Sequence, residues 1–132
     1  MMPSNSISIQ RRLQWLDTDA AGVWHHSVAI RWAEEAEAEL HRRLGIVDET
    51  FGATPRVRVA FDFAGALVFD DLVDITLTVT KLGETSITYL IEVVHGQELI
   101  ASGTMVAVFI DRESGLKRRW PDHLRQVLDM EP

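Results

Sequence analysis

The sequence contains no cysteine, no excess of basic charge and no long apolar run. Without cysteine, the chain has no disulfide framework, no thiolate metal site, no iron–sulfur cluster and no thiol nucleophile. Its longest apolar run, Met105–Ile110, falls far short of the ~20 residues that a membrane span needs. The first ten residues are polar and do not resemble a signal peptide, so we expect a cytoplasmic protein that does not bind membranes.

Basic residues are outnumbered, with 13 Lys and Arg against 20 Asp and Glu and a formal net charge of −7. A general nucleic-acid binder carries a basic stripe, so we expect no nucleic-acid partner. The 132 residues predict one domain that spans the whole sequence, 1–132. A chain of this length buries enough surface to fold without a disulfide or a structural metal.

Period-two alternation of apolar and polar residues predicts half-buried antiparallel strands along most of the sequence. In the first strand, Trp15 shares the predicted buried face with Ile9, and Arg11 interrupts that face, which indicates a bulge or an open end. The fifth strand is apolar on both faces, as is typical of a central strand. The predicted strands are Ser6–Leu16, Arg56–Phe63, Val73–Thr80, Ser86–His95 and Leu99–Ile110.

One long helix is predicted between the first two strands, at Ser27–Leu44, and Gly45 ends it. Its apolar stripe is mostly alanine, and small residues let a helix lie close against a sheet. A second helix is predicted over Pro121–Met130. The order β-α-β-β-β-β predicts an α+β fold in which a mostly antiparallel sheet wraps around the central helix. The stripe consists of Ala29, Ala33, Ala36, Leu40 and Leu44.

The segment with candidate chemistry is Asp17–Ser27, which places two carboxylates, a glycine and two histidines before the long helix. The first N–H groups of a helix have no internal partners and carry partial positive charge. Such N–H groups can polarise a carbonyl while a nearby carboxylate attacks the carbon or activates water. An aspartate before a helix also serves as a simple cap. The residues alone leave both interpretations open.

This segment, together with Arg31–Ala36, resembles the signature of the 4-hydroxybenzoyl-CoA thioesterase family of hotdog-fold proteins. Weaker similarity continues through Phe69–Asp71, Leu82–Ser86 and Val108–Arg112 and covers nearly the whole chain. The resemblance implies a curved five-stranded sheet around one helix and hydrolysis of an acyl-CoA thioester to free acid and CoA. It implies no metal or redox cofactor, and it implies a homodimer or homotetramer with active sites at the interface.

Position by position, the resemblance assigns Asp19 as the catalytic carboxylate, acting as nucleophile or general base. It assigns the backbone N–H of His26 as the group that polarises the thioester oxygen. Asp17 is expected to order the loop and Gly22 to permit its turn. Glu34 matches a frequently acidic helix position and is expected to support the structure.

Substrate contacts are expected from the residues near this segment and from the basic residues. Trp24 and His25 are expected beside the acyl group, and Trp32 is a candidate for a dimer contact or a pocket. Packing explains both tryptophans equally well. The basic candidates for the phosphates of CoA are the run Lys117, Arg118 and Arg119, and the pair Arg56 and Arg58, which alternation places on one strand face. The alternative for the run is a solvated cluster after the last strand.

Metal binding is not expected, because no pair of histidines has ligand spacing. His41, His95 and His123 are expected to be solvated or capping. Ala29 replaces an aromatic residue common in the family, and Glu37 stands where many members carry Arg, so the aromatic nature of the substrate stays open. The alternatives are a hotdog thioesterase that acts on acyl carrier protein and a non-catalytic hotdog binding or assembly protein.

Overall fold

The computed structural model describes residues 5–129 and shows a curved, five-stranded antiparallel sheet that packs against one long helix. The strand order is β1-β3-β4-β5-β2. The predicted α+β architecture is therefore confirmed. The strands are β1 (Ser6–Arg12), β2 (Arg56–Phe63), β3 (Leu72–Leu82), β4 (Ser86–His95) and β5 (Glu98–Val108), and the helices are α1 (Ser27–Leu44), α2 (Val47–Thr50) and α3 (Asp122–Leu128).

The core lies between α1 and the inner face of the sheet. Every second residue is buried from Val73 to Val79 in β3 and from Ile87 to Val93 in β4, as the alternation predicts. The predicted alanine stripe of α1 is also buried: Ala29, Ala33, Ala36 and Leu40 have no exposed surface. The small side chains bring the helix close to the strands, and this close contact positions the start of α1 against the sheet. Among residues 5–129, no helix is both long and apolar enough to span a membrane.

The first strand is shorter than predicted. It ends at Arg12, and Trp15–Asp17 forms a 3-10 turn, so Trp15 is 72% exposed instead of buried. The expected bulge at Arg11 is absent from β1, whose pairing with β3 runs from Ser6 to Arg12 without a shift. Arg11 instead meets the carboxylate of Glu35 on α1 at 2.7 Å, which accommodates its charge on the inner face.

The second strand has the predicted bounds but a bulge at its start. Arg56 pairs with Ala107 and Arg58 pairs with Val106, so the two arginines lie on opposite faces of the sheet. Their predicted location on one face is wrong, because the extra residue Val57 breaks the alternation. β2 is also an edge strand, and its apolar residues Val57 and Phe63 are exposed.

The long helix has the predicted bounds and ends in Gly45, whose φ of 74° is the left-handed conformation that favours glycine. The second predicted helix is shorter: α3 starts after Pro121, and Met130 lies outside the described residues. α2 has only four residues and offers no periodicity to detect. β5 is an interior strand, as its composition indicates, although β4 occupies the centre of the sheet.

Candidate active site

A short hairpin leads from β1 to α1 and carries most of the predicted site. Thr18 and Trp24 pair across it, and the N–H of His25 donates to the carbonyl of Asp17 at 2.8 Å. At the tip, the N–H of Gly22 donates to the carbonyl of Asp19 at 3.0 Å. Gly22 has a φ of 80°, which supports its predicted part in forming the turn.

Asp19 lies at the tip of this hairpin with an exposed side chain. Its Oδ1 atom accepts a hydrogen bond from the N–H of Ala21 at 2.8 Å, which fixes the orientation of the carboxylate. Within residues 5–129, its Oδ2 atom has no hydrogen-bonding partner. One carboxylate oxygen is therefore held and the other is free to act on a ligand.

The start of α1 presents a second unpartnered group. The N–H of Ser27 donates to Nδ1 of His25 at 3.1 Å, and the N–H of Val28 donates to the carbonyl of His25 at 3.0 Å. In the described part of the chain, no acceptor faces the N–H of His26. This donor lies at the positive end of the helix dipole, where it can bind the oxygen of a polarised carbonyl.

Aromatic side chains surround the hairpin. Trp24 is 6% exposed and stacks on the buried Trp32 with ring centroids 5.9 Å apart. Packing is therefore the correct interpretation for Trp32. Phe63, at the end of β2, contacts the edge of Trp24 at 5.5 Å and is 46% exposed. No motif in the sequence indicates Phe63, whose exposed ring offers an aromatic surface beside the start of α1.

The predicted basic residues do not join this hairpin within one protomer. The N–H of Trp24 donates to Leu67, and that of Gly65 donates to Ile100 near the start of β5. By contrast, the N–H of Arg118 donates to Phe109, beyond the end of β5. Ile100 and Phe109 are nine residue steps apart along extended chain, a distance of about 30 Å.

The side chains of the basic run are exposed, and two of them have neighbours. The guanidinium of Arg118 lies over the ring of Phe109, 5.1 Å from its centroid. Arg119 pairs with Glu84 at 3.3 Å. Neither Asp19 nor His26 lines any of four surface cavities of about 310 to 500 Å³. Arg118 lines the cavity of about 430 Å³.

A buried polar network lies beneath the middle of α1. Glu37 forms an ion pair with Arg56 of β2 and lies within hydrogen-bonding reach of Tyr89. The imidazole of His41 bonds to the Tyr89 hydroxyl at 2.8 Å and to the Thr50 hydroxyl at 2.6 Å. The expectation of a solvated or capping His41 is wrong, since this residue is 1% exposed. Glu37 and His41 continue the row of buried alanines along α1 at intervals of four residues. This spacing indicated that His41 would be buried.

Burial dominates the ionisation of this network. It raises the pKa of Glu37, even though Arg56 acts in the opposite direction. It also lowers the pKa of His41 to about 4, with a smaller contribution from the positive charge of Arg56. Burial raises the pKa of Tyr89 well above its ordinary value. His41 is therefore neutral in the folded protein at neutral pH.

The neutral His41 predicts a specific acid sensitivity. In the unfolded chain its pKa returns to 6.5, so between pH 6.5 and about 4 the unfolded state binds the proton more tightly. The contribution of His41 to the free energy of unfolding should fall by about 3 kcal/mol as pH decreases across this range. Denaturant titrations should show a flatter profile in His41→Gln, whereas the exposed control His123→Gln should retain the wild-type slope. Equal slopes in all three proteins would contradict this origin.

Comparison with known proteins supports this fold. A 1,4-dihydroxy-2-naphthoyl-CoA hydrolase from Synechococcus sp. (strain CC9605) is 26% identical, over 93% of this chain and 89% of its own. A solved 1,4-dihydroxy-2-naphthoyl-CoA thioesterase from Synechocystis has a TM-score of 0.82 at 20% identity, covering 93% of this chain and 95% of its own. A gentisyl-coenzyme A thioesterase has a TM-score of 0.83 at 24% identity, covering 92% and 99%.

The fold and these relatives define the class: a thioester hydrolase with the hotdog fold. The chain belongs to the thioesterase-like superfamily, whose family model matches residues 13–128. The resemblance drawn from the Asp17–His26 segment is confirmed at the level of family and fold. The roles of the individual site residues remain predictions. The structure shows which of these residues lie together on one hairpin.

Proposed function

We propose that the protein hydrolyses the thioester of a hydroxylated aromatic acyl-CoA. Water cleaves the bond between the carbonyl carbon and sulfur, so that the products are the free carboxylic acid and CoA with its thiol. The observation that carries the proposal is the pair of unpartnered groups on one hairpin, Oδ2 of Asp19 and the N–H of His26. The first supplies a carboxylate and the second polarises the carbonyl oxygen.

Two routes lead from this arrangement to the same products. Asp19 can attack the carbonyl carbon, expel the CoA thiolate and form a mixed anhydride that water then cleaves. It can instead take a proton from a water molecule as that water attacks. A single turnover in ¹⁸O-labelled water can reveal the anhydride: label enters the Asp19 carboxylate only when an anhydride forms and water attacks it at the Asp19 carbonyl. Label confined to the released acid is expected from the general-base route and equally from an anhydride that water cleaves at the carbonyl of the acyl group.

The proposed aromatic substrate rests on the relatives and on Phe63. The relatives above are named for naphthoyl and gentisyl thioesters, both of which carry hydroxylated aromatic acyl groups. The exposed ring of Phe63 lies against Trp24 next to the start of α1, where an aromatic acyl group can pack by offset or edge contacts. Trp24 itself contacts Phe63, and we propose that His25, the next residue along the hairpin, also contacts the acyl group.

We also propose that two chains pair through β2. This edge strand exposes Val57, Val59 and Phe63, and an uncovered apolar edge favours association with another strand. Pairing of β2 with its own copy about a twofold axis makes the two strands antiparallel. The end of one sheet that carries Lys117–Arg119 then lies beside the Asp19 end of the other. This arrangement places each site at the interface of a homodimer, which can pair further into a homotetramer.

The basic run is proposed to bind the phosphates of CoA across this interface. Arg58, on the outward face of β2, is a further candidate, whereas Arg56 is engaged by Glu37. Replacing Lys117, Arg118 and Arg119 together by alanine should raise KM severalfold and leave kcat within about twofold, because these residues do not touch the reacting atoms. The effect should diminish at high salt. A salt-independent, wild-type KM would contradict the assignment.

A substrate panel tests the proposed function. Release of CoA thiol is measured for hydroxyaroyl-CoAs, benzoyl-CoA, short and long fatty acyl-CoAs and the matching acyl carrier protein thioesters. We expect the highest kcat/KM with a hydroxyaroyl-CoA. A preference for acyl carrier protein thioesters would show that the natural carrier of the acyl group is acyl carrier protein and not CoA. Saturable binding of acyl-CoA without any thiol release would identify a non-catalytic binding protein instead.

A further inference from the structure

Asp17 is a buried carboxylate at the base of the hairpin, with only 2% of its surface exposed. Its Oδ1 atom accepts a hydrogen bond from the guanidinium of Arg31 at 2.8 Å, and its Oδ2 atom accepts one from the N–H of Gln14 at 2.9 Å. Among residues 5–129, Arg31 is the only cation within ion-pairing distance of this carboxylate. A buried charge requires such a partner, so the position of Asp17 depends on Arg31.

The backbone of Asp17 links this ion pair to the proposed reacting groups. Its carbonyl accepts the hydrogen bond from the N–H of His25, which directly precedes His26. Two residues further along, the N–H of Asp19 donates to the carbonyl of Val23 at 2.8 Å. A shift of Asp17 would therefore move both strands of the hairpin, and with them the Asp19 carboxylate and the His26 N–H.

Arg31 also anchors the hairpin to the rest of the fold. It lies in the second turn of α1, where its Nε atom is 3.4 Å from a carboxylate oxygen of Glu35. The other carboxylate oxygen of Glu35 pairs with Arg11 of β1 at 2.7 Å. One guanidinium thus connects the hairpin to the helix and, through Glu35, to the edge of the sheet.

We propose that Arg31 is a positioning residue for thioester cleavage. This inference rests on the proposed function. Arg31 neutralises and holds Asp17, and Asp17 holds the hairpin so that the Asp19 carboxylate and the His26 N–H address the same carbonyl group. Arg31 itself does not contact the substrate. Its removal disturbs the geometry of the reacting groups more than the binding of CoA.

The test compares Arg31→Met and Arg31→Lys with the wild type. Because a misplacement of about 1 Å can cost about a hundredfold in rate, we expect Arg31→Met to lower kcat by about ten- to a hundredfold. KM should stay within about threefold of the wild-type value. Arg31→Lys retains the charge and should recover part of kcat. Arg42→Met is the matched control, since Arg42 makes an exposed ion pair with Glu39 on the same helix.

A double variant separates positioning from general damage to the fold. Asp17→Asn removes the charge that Arg31 compensates, so Arg31→Met combined with Asp17→Asn should have a higher kcat than Arg31→Met alone. All rates are measured well below the melting temperature. Provided that Asp19→Asn is inactive, the inference is overturned by a wild-type kcat in Arg31→Met or by a double variant that recovers none of the lost kcat. Full activity of Asp19→Asn would instead overturn the proposed function.

Discussion

Replacing Asp19 with asparagine should lower kcat on the best acyl-CoA by about two or more orders of magnitude. Asparagine has nearly the same shape, and its side-chain oxygen can still accept the hydrogen bond that the N–H of Ala21 donates at 2.8 Å. The hairpin should therefore keep its conformation. The amide can neither form an anhydride nor take a proton from water, so both proposed routes are lost. Steady-state release of CoA thiol measures the effect.

Asp111→Asn is the matched control for this variant. Asp111 is also an exposed aspartate in a turn, and its side chain accepts a hydrogen bond from the N–H of Ser114 at 3.0 Å. It lies beyond the end of β5, away from the hairpin of its own protomer. We expect wild-type kcat in Asp111→Asn and similar melting temperatures for both variants. If Asp19→Asn hydrolyses the substrate as fast as the wild type, Asp19 is not the catalytic carboxylate.

Replacing Arg56 with methionine should destabilise the protein by about 3–5 kcal/mol at pH 7. Glu37 is fully buried, and Arg56 is the cation that pairs with it. Without this partner, the carboxyl group is left in an apolar environment and takes up a proton more readily. Because burial already raises the pKa of Glu37, the difference from the wild type should shrink as the pH is lowered from 7 towards 5. Urea unfolding at several pH values measures it.

Two further variants define the cause of that destabilisation. Glu37→Gln combined with Arg56→Met removes both charges and should recover much of the lost stability. Arg42→Met disrupts an exposed ion pair with Glu39 and should cost about 1 kcal/mol or less. An Arg56→Met protein as stable as Arg42→Met would show that the buried pair contributes little.

The local parts of the fold could be predicted from the sequence because their signals are local. The alternation is uninterrupted from Val73 to Val79 in β3 and from Ile87 to Val93 in β4, and α1 has both an apolar stripe and a terminal glycine. The bulge at Val57 could not be predicted, since it depends on how β2 aligns with β5. The same reason explains why Arg56 and Arg58 were assigned to one face.

The candidate site shows the same division between local and non-local information. The motif from Asp17 to His26 is contiguous, so its residues were identified together and lie together on one hairpin. Arg31 belongs to the resembling segment Arg31–Ala36, but its role depends on an ion pair with Asp17 that the sequence does not indicate. Phe63 likewise depends on a contact across the fold, and no spacing along the chain indicates it. The Lys117–Arg119 run is distant from this hairpin both in sequence and within one protomer. Its proposed role in binding CoA therefore depends on a second copy of the chain.

The most direct test of the central claim is the rate of thioester cleavage in a single turnover, with enzyme in excess over a hydroxyaroyl-CoA. This experiment isolates the chemical step from product release. We predict that the wild type cleaves the thioester at least about a hundredfold faster than Asp19→Asn, while both proteins bind the substrate with similar affinity. Equal cleavage rates in the two proteins would contradict the account.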